Sequence, residues 1–281
     1  MVVHDKIRLI VLRTSCFPRR SPLGRLTNIH NCLKYSPMPL RKVAIFDDLS
    51  ERLRSEVNPY VAQLKTRSSD PAFPALYGPA LRGRLGQWRG YFAERRRDKQ
   101  SPQQLVLEIG MHKGKTLTAM TAAHPSWAFL AMDITYKRVM ITAERMQALG
   151  RDNVCAILGD ARHCPELFAP RELDGVLVFF PDPWSKKKGQ LHNRLLTPEF
   201  CAQLSRLLAE EGFFWLKTDC ANYFAAVAGF FDGCPSMESS QEAPVNLEGQ
   251  RSVFEERFLK AEVPIFQGIW RKKAAQSVAT A

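Results

Sequence analysis

The sequence predicts an α/β fold, a doubly wound and mostly parallel sheet with helices on both faces and an antiparallel hairpin at its C-terminal end. Three observations carry this. From Leu105 onward, short apolar runs alternate with amphipathic segments, the texture of a parallel sheet wrapped by helices. The first run leads into a turn from Gly110 to Gly114 that opens a helix. Two further strand-like runs after Gln250 are joined too tightly for a crossover helix, so they are expected to pair antiparallel. At 281 residues and 45% hydrophobic, the chain has enough length and apolar content for one large domain or two small ones.

Taken in order, residues 1 to 42 are rich in Arg and Ser, carry Asp5 as their one acid, and are broken by Pro18, Pro22, Pro37 and Pro39. They read as a basic, flexible arm: a transit peptide, an RNA-binding arm, or sequence upstream of a start at Met38. Residues 43 to 104 form a basic N-terminal extension. It is moderately helical to position 69, then loop-like through Pro71, Pro74, Gly78, Pro79 and Gly83 to the run Arg95, Arg96, Arg97. The main domain is expected over 105 to 273, with a tail at 274 to 281.

Within that domain LVLEI (105–109), WAFLAM (127–132), NVCAIL (153–158), GVLVFF (175–180) and FFWLKT (213–218) read as parallel strands. Val139, Ala143 and Met146 recur at helical spacing before Gly150 as a stop. Thr197 and Pro198 look like an N-cap and first helical position, with Phe200, Leu204, Leu207 and Leu208 on one face. SVFEERFLK and EVPIFQGIW supply the expected hairpin.

The net charge of +12 comes entirely from the first hundred residues, which hold 20 basic and 8 acidic side chains. A basic arm beside a nearly neutral body suits a polyanionic partner better than an acidic small substrate. The seven cysteines are odd in number and lack paired spacing, which argues for reduced thiols and against a zinc site. His112, His163 and His192 have no ligand partners at recognisable spacing, so no metal is expected. No uncharged apolar run approaches the roughly 20 residues that span a bilayer. Asp5, Lys6, Arg8 and Arg13 interrupt the first stretch, so a secretory signal is not expected. The reading is a cytoplasmic protein, or an organellar one if residues 1 to 42 are a transit peptide.

In a doubly wound sheet, ligands bind beyond the C-terminal strand ends at the switch point, which here is the turn after Glu108, Ile109 and Gly110. A dinucleotide site would require a second glycine where this chain has His112, so a pyrophosphate is disfavoured and an adenosyl cofactor without phosphates fits better. Asp133 ends the second strand, placed to accept from ribose hydroxyls. Asp160 ends the third, with Ala161 beside it, within reach of an adenine. Each carboxylate alone reads as a strand-end cap. Three on consecutive strands suit a cationic ligand with an amino-acid tail and a ribose, S-adenosylmethionine, with Glu108, Gly110, Gly114, Asp133, Asp160 and Ala161 as its candidate contacts.

The fourth strand runs into Phe179, Phe180, Pro181, Asp182, Pro183 and Trp184. Flanking prolines fix the backbone around Asp182, and Trp184 can stack on a base. The plainer reading is a proline-bracketed loop. Lys186, Lys187, Lys188, His192 and Arg194 follow directly and are candidates for RNA phosphates, against the alternative of a solvated basic loop.

LEIGMHKG, FFPDPWSKKKGQLHNRLL, Thr218-Asp219 and SVFEER, in that order across about residues 105 to 271, resemble the bacterial tRNA (guanine-N7)-methyltransferase family. The resemblance implies a class I, Rossmann-like methyltransferase fold, S-adenosylmethionine as donor, and N7 of a guanine in the tRNA variable loop, usually position 46, as acceptor. It places cofactor contacts on Glu108, Asp133, Asp160 and Asp182, with Asp182 also the catalytic aspartate. It places substrate contacts on Lys186, Asp219, Ser252, Val253, Phe254 and Glu255. His112 stands where the family usually has glycine, and Ser252 where it usually has threonine. Guanine N7 is already a lone-pair nucleophile, so the expected catalysis is positioning and electrostatics rather than proton removal. A silent tRNA-binding protein and an amino-directed methyltransferase are the competing readings. A monomer or homodimer is expected.

Overall fold

A computed structural model describes residues 45–46, 59–184, 188–244 and 251–274. The N-terminal arm, nearly all of the tail, Lys186 and Lys187 lie outside them. Among the described residues eight strands form one sheet: β1 (Ala75–Tyr77), β2 (Leu105–Ile109), β3 (Ala128–Asp133), β4 (Val154–Leu158), β5 (Leu173–Phe179), β6 (Leu208–Thr218), β7 (Met237–Ser240) and β8 (Phe266–Lys272). Their spatial order is β1-β4-β3-β2-β5-β6-β8-β7. Neighbours from β1 through β6 are parallel, and β8 is antiparallel to both β6 and β7. The helices are α1 (Pro59–Arg67), α2 (Trp88–Arg95), α3 (Lys115–Ala123), α4 (Tyr136–Ala148), α5 (Cys164–Leu167), α6 (Pro198–Leu207), α7 (Ala221–Asp232) and α8 (Val253–Lys260).

The central strands are largely apolar because both faces are covered, with Glu108 and Asp133 as buried exceptions at their C-terminal ends. Leu105, Leu107 and Ile109 of β2 point into a core built with Trp88 and Phe92 of α2, Leu167 of α5, Leu204 of α6 and Phe231 of α7. Val106 points the other way, into a core shared with Val61 of α1, Leu117 and Met120 of α3, and Val139 and Met146 of α4. Alternate residues therefore serve opposite layers, and each fully buried Leu or Val contributes roughly 1.5–3 kcal/mol. The five expected parallel strands and the helix starting at Thr197 are all present. The Thr197 hydroxyl accepts from Phe200 N at 3.3 Å, with Pro198 at the first helical position.

Two expectations are corrected. SVFEERFLK is not a strand: Val253–Lys260 is α8, started by a reciprocal capping box between Ser252 and Glu255. Ser-x-x-Glu satisfies two of the free amides at a helix start, and Phe254 and Phe258 then fall one turn apart on one face. The antiparallel part of the sheet is therefore β8 with β6 and β7, not a hairpin of the last two runs. The stretch from 70 to 104, expected as loop, contains β1 and α2. β1 adds a sixth parallel strand beside β4, and Trp88 donates from Nε1 to Leu167 O at 2.8 Å inside the core.

Candidate active site

From β2 the chain winds outward through β3 and β4, then returns to the other side of β2 with β5 and β6. The reversal leaves a crevice beyond the C-terminal ends of β2 and β5. The turn after β2 forms one wall. Gly114 caps α3 at φ 66, and a Cβ there would meet Thr142 Cγ2 at 2.7 Å, so helix and turn approach closely only with glycine. Gly110 is different: at φ 84, a Cβ would meet no protein atom within 4 Å. The space in front of it is open.

A cleft lies between Glu108, Gly110 and His112 on one side and Phe180, Ser252 and Phe254 on the other. Glu108 is 4% exposed, and its Oε2 has no hydrogen-bond partner. Burial, reinforced by the charge of Asp133, pushes its pKa up to about 8. The His112 ring lies edge-on to Phe254, centroids 5.2 Å apart. Burial, with Arg138, Lys113 and Arg257, drives its pKa down to about 4, so the ring is neutral at pH 7.

The other strand-end carboxylates have local partners. Asp133 accepts from Thr135 N at 2.9 Å and from Arg138 at 3.3 Å. Burial raises its pKa against the opposing pull of Arg138. Asp160 caps a short 3-10 turn over Ala161–His163, accepting from Arg162 N at 3.0 Å and pairing with the Arg162 guanidinium at 2.7 Å.

The loop after β5 is held at both ends. Phe180 and Trp184 both take left-handed backbone, φ 54 and 46, a conformation that costs a non-glycine residue on the order of 1 kcal/mol or more. Phe180 N donates to Lys217 O at 2.7 Å, and Arg194 Nε donates to Pro183 O at 2.8 Å. Asp182, between them, is exposed. The Arg194 guanidinium also covers the Tyr223 ring at 4.6 Å, so this candidate phosphate contact is partly engaged in bracing the loop. Lys188 begins a 3-10 segment that runs to Asn193, and His192 within it is exposed.

α8 closes the opposite side. Ser252 Oγ accepts from Glu255 N at 3.0 Å. Glu255 Oε1 receives Lys217 Nζ at 3.0 Å, and Glu256 pairs with Lys115 of α3. Phe180 packs on Phe258 and Phe254 with centroids 5.3 and 6.2 Å apart. Of the expected site residues, Glu108, Gly110, Ser252, Val253 and Phe254 line one cleft. Gly114, Asp133, Asp160, Ala161, Asp182, Asp219 and Glu255 are not among its walls. Asp219 is half-buried just past the end of β6.

Residues 102–267 match a family model described as "Putative methyltransferase". The tRNA (guanine-N(7)-)-methyltransferase of Geobacillus kaustophilus is 32% identical over 154 residues, covering 54% of this chain and 67% of that protein. The enzyme of the same name from Burkholderia mallei is 28% identical over 243 residues, 85% of this chain and 86% of its own length. The Synechococcus one is 27% identical over 255 residues, 89% and 94%. The chain belongs to the tRNA (guanine-N7)-methyltransferase family.

The residues at the cleft fit the methyl donor of that family, S-adenosylmethionine. A buried carboxyl group without a partner on Oε2 matches an ammonium group, whose charge would favour its ionised form, and the free space before Gly110 admits a ligand against bare backbone. A neutral His112 adds no charge against a sulfonium. Sequence reasoning missed Lys217, lost inside an apolar run with no local signal, and Phe258, which packs with Phe180 and Phe254. The four-residue step from Phe254 to Phe258 was the signal for the aromatic group.

Proposed function

We propose that this methyltransferase moves the methyl group of S-adenosylmethionine to N7 of a guanine in tRNA, in the variable loop and usually at position 46. Membership of the tRNA (guanine-N7)-methyltransferase family carries the reading. The cofactor supplies an electrophilic methyl on sulfur, so the S–C bond breaks as the N7–C bond forms and the positive charge passes to the purine. In this reading Glu108 binds the ammonium group and Asp133 the ribose, releasing Arg138. Asp160 and Ala161 hold the adenine, and Gly110 and Gly114 let the backbone approach. Asp182 is the catalytic residue: on a loop braced at Phe180 and Pro183, its carboxylate stabilises the purine as it becomes cationic. Lys186, Asp219 and the turn Ser252, Val253, Phe254, Glu255 hold the guanine. Lys187, Lys188, His192 and Arg194 face phosphates and orient the RNA without reading sequence. No described helix is long and apolar enough to cross a membrane, and a tRNA substrate suits the cytoplasm, or an organelle if residues 1 to 42 are a transit peptide.

The test is incubation with methyl-labelled cofactor and unmodified tRNA transcripts, followed by borohydride and aniline cleavage at N7-methylguanine. One scission in the variable loop is expected. Label in another base would replace this reading with amino methylation, and tRNA binding without label would replace it with a silent binder. Asp182→Ala is expected to lower kcat by about a hundredfold or more while tRNA affinity, measured by filter binding, persists.

A further inference from the structure

Lys217 is 6% exposed near the end of a core strand, where an aliphatic residue would pack as well and avoid burying a charge. An ion pair and two aromatic rings hold its ammonium, and its backbone carbonyl, whatever the side chain, meets the loop after β5. Its Nζ lies 3.0 Å from Glu255 Oε1, with the two side chains 8% and 13% exposed. The same ammonium lies over the rings of Phe179 and Trp215, at 5.2 and 5.1 Å from their centroids. Its carbonyl accepts Phe180 N at 2.7 Å, at the residue where β5 turns into the Pro181-Asp182-Pro183 loop.

We propose that Lys217 is a positioning residue that ties the first turn of α8 to the loop bearing Asp182 and so fixes the two sides of the acceptor site relative to each other. α8 buries none of its residues fully, so it has no core anchor and depends on ties made by its side chains. The other ion pair, Lys115 to Glu256, joins groups that are 42% and 45% exposed, where solvent and salt weaken it. The Lys217 tie is shielded and rigid: two aromatic faces confine the ammonium, and the strand fixes its stem. The side chain thus orients Glu255 while the backbone orients Phe180, and both reach the cleft through one residue of β6. Cofactor contacts on β2, β3 and β4 do not run through it.

The catalytic part of this role rests on the tRNA-methylating reading; the holding of α8 does not. Both are tested with Lys217→Met, Lys217→Arg and the double variant Lys217→Met/Glu255→Gln, the last removing both buried charges if the single change unfolds the protein. In Lys217→Met, hydrogen exchange of the α8 amides is expected to rise about tenfold while β2 and β3 keep their protection. S-adenosylhomocysteine affinity should fall less than kcat/KM for tRNA, since Glu108 and the strand-end contacts on β2, β3 and β4 do not touch Lys217 and only the α8 wall of the cleft is loosened. kcat/KM for tRNA should fall about 10- to 100-fold, chiefly in kcat, with Lys217→Arg recovering most of it. The double variant should show the same loosened α8, with a kinetic loss at least as large because Glu255 also holds the guanine in the proposed reading. Unchanged α8 exchange overturns the proposal. So does a parallel loss of β2 protection and cofactor affinity, which would make Lys217 a packing residue only. If α8 loosens as expected but the wild-type protein does not methylate tRNA, the functional reading fails and the holding role stands.

Discussion

Glu108 is a buried candidate site residue whose charge state is set against its ordinary value. Its carboxyl is raised from 4.5 to about 8, so between those values the folded protein holds a proton that the unfolded chain releases. Stability from this group is full below about pH 4.5 and is lost as pH rises toward 8. Glu108→Gln, which cannot ionise, is expected to flatten the fall of Tm between pH 5 and 8.5, and to melt higher than the wild type at pH 8 without cofactor. Melting curves across that range decide it; parallel curves for the two proteins would mean that Oε2 has a partner after all. At this scale the sequence was informative about place, putting Glu108 and Gly110 at the end of β2, where both line the cleft. It could not separate cap from ligand at Asp133 and Asp160, because Thr135 N and Arg162 N lie two residues away and give any strand-end carboxylate a local partner. Lys217 was hidden for the opposite reason, its partner lying 38 residues further along.

Among elements, α8 is the one whose type was misjudged, and the cause is physical. In a short run with apolar residues at both strand and helix spacing, periodicity does not choose; the reciprocal bonds of Ser252 and Glu255 do. Ser252→Ala is expected to cost about 1 kcal/mol. Because α8 buries no residue fully, the loss should appear as faster hydrogen exchange in its first turn, with only a small shift in Tm. A Tm loss as large as that of a core truncation would contradict this. Lys115→Ala should lower stability only slightly, since both partners are solvated, and the difference from wild type should shrink as salt is raised, which denaturation at two ionic strengths will show. The strands β1 and β7 escaped notice because three and four residues carry no usable period, whereas α6 announced itself through Thr197 and Pro198.

For the whole molecule, the excess positive charge lies in residues that precede the motifs of the site. Deleting residues 1 to 38 is expected to leave turnover within about tenfold of the full chain, any loss falling on KM for tRNA and growing at high salt, as for contacts to phosphate alone. A loss of kcat beyond tenfold would assign the arm a part in the site. The parallel sheet and its switch point were legible because strands buried on both faces read as unbroken apolar runs. The insertion of β8 between β6 and β7 was not, since register among distant strands leaves no local mark. That insertion sets the order in which the fold can be finished. Among the described residues β8 is the last strand along the chain and the one neighbour of β7 in the sheet, and β6 needs β8 to cover its outer edge. A nascent chain held on the ribosome therefore presents the bare edge of β6 until residues 266–272 emerge, and that interval is when the protein is most open to chaperone capture or to pairing with another chain.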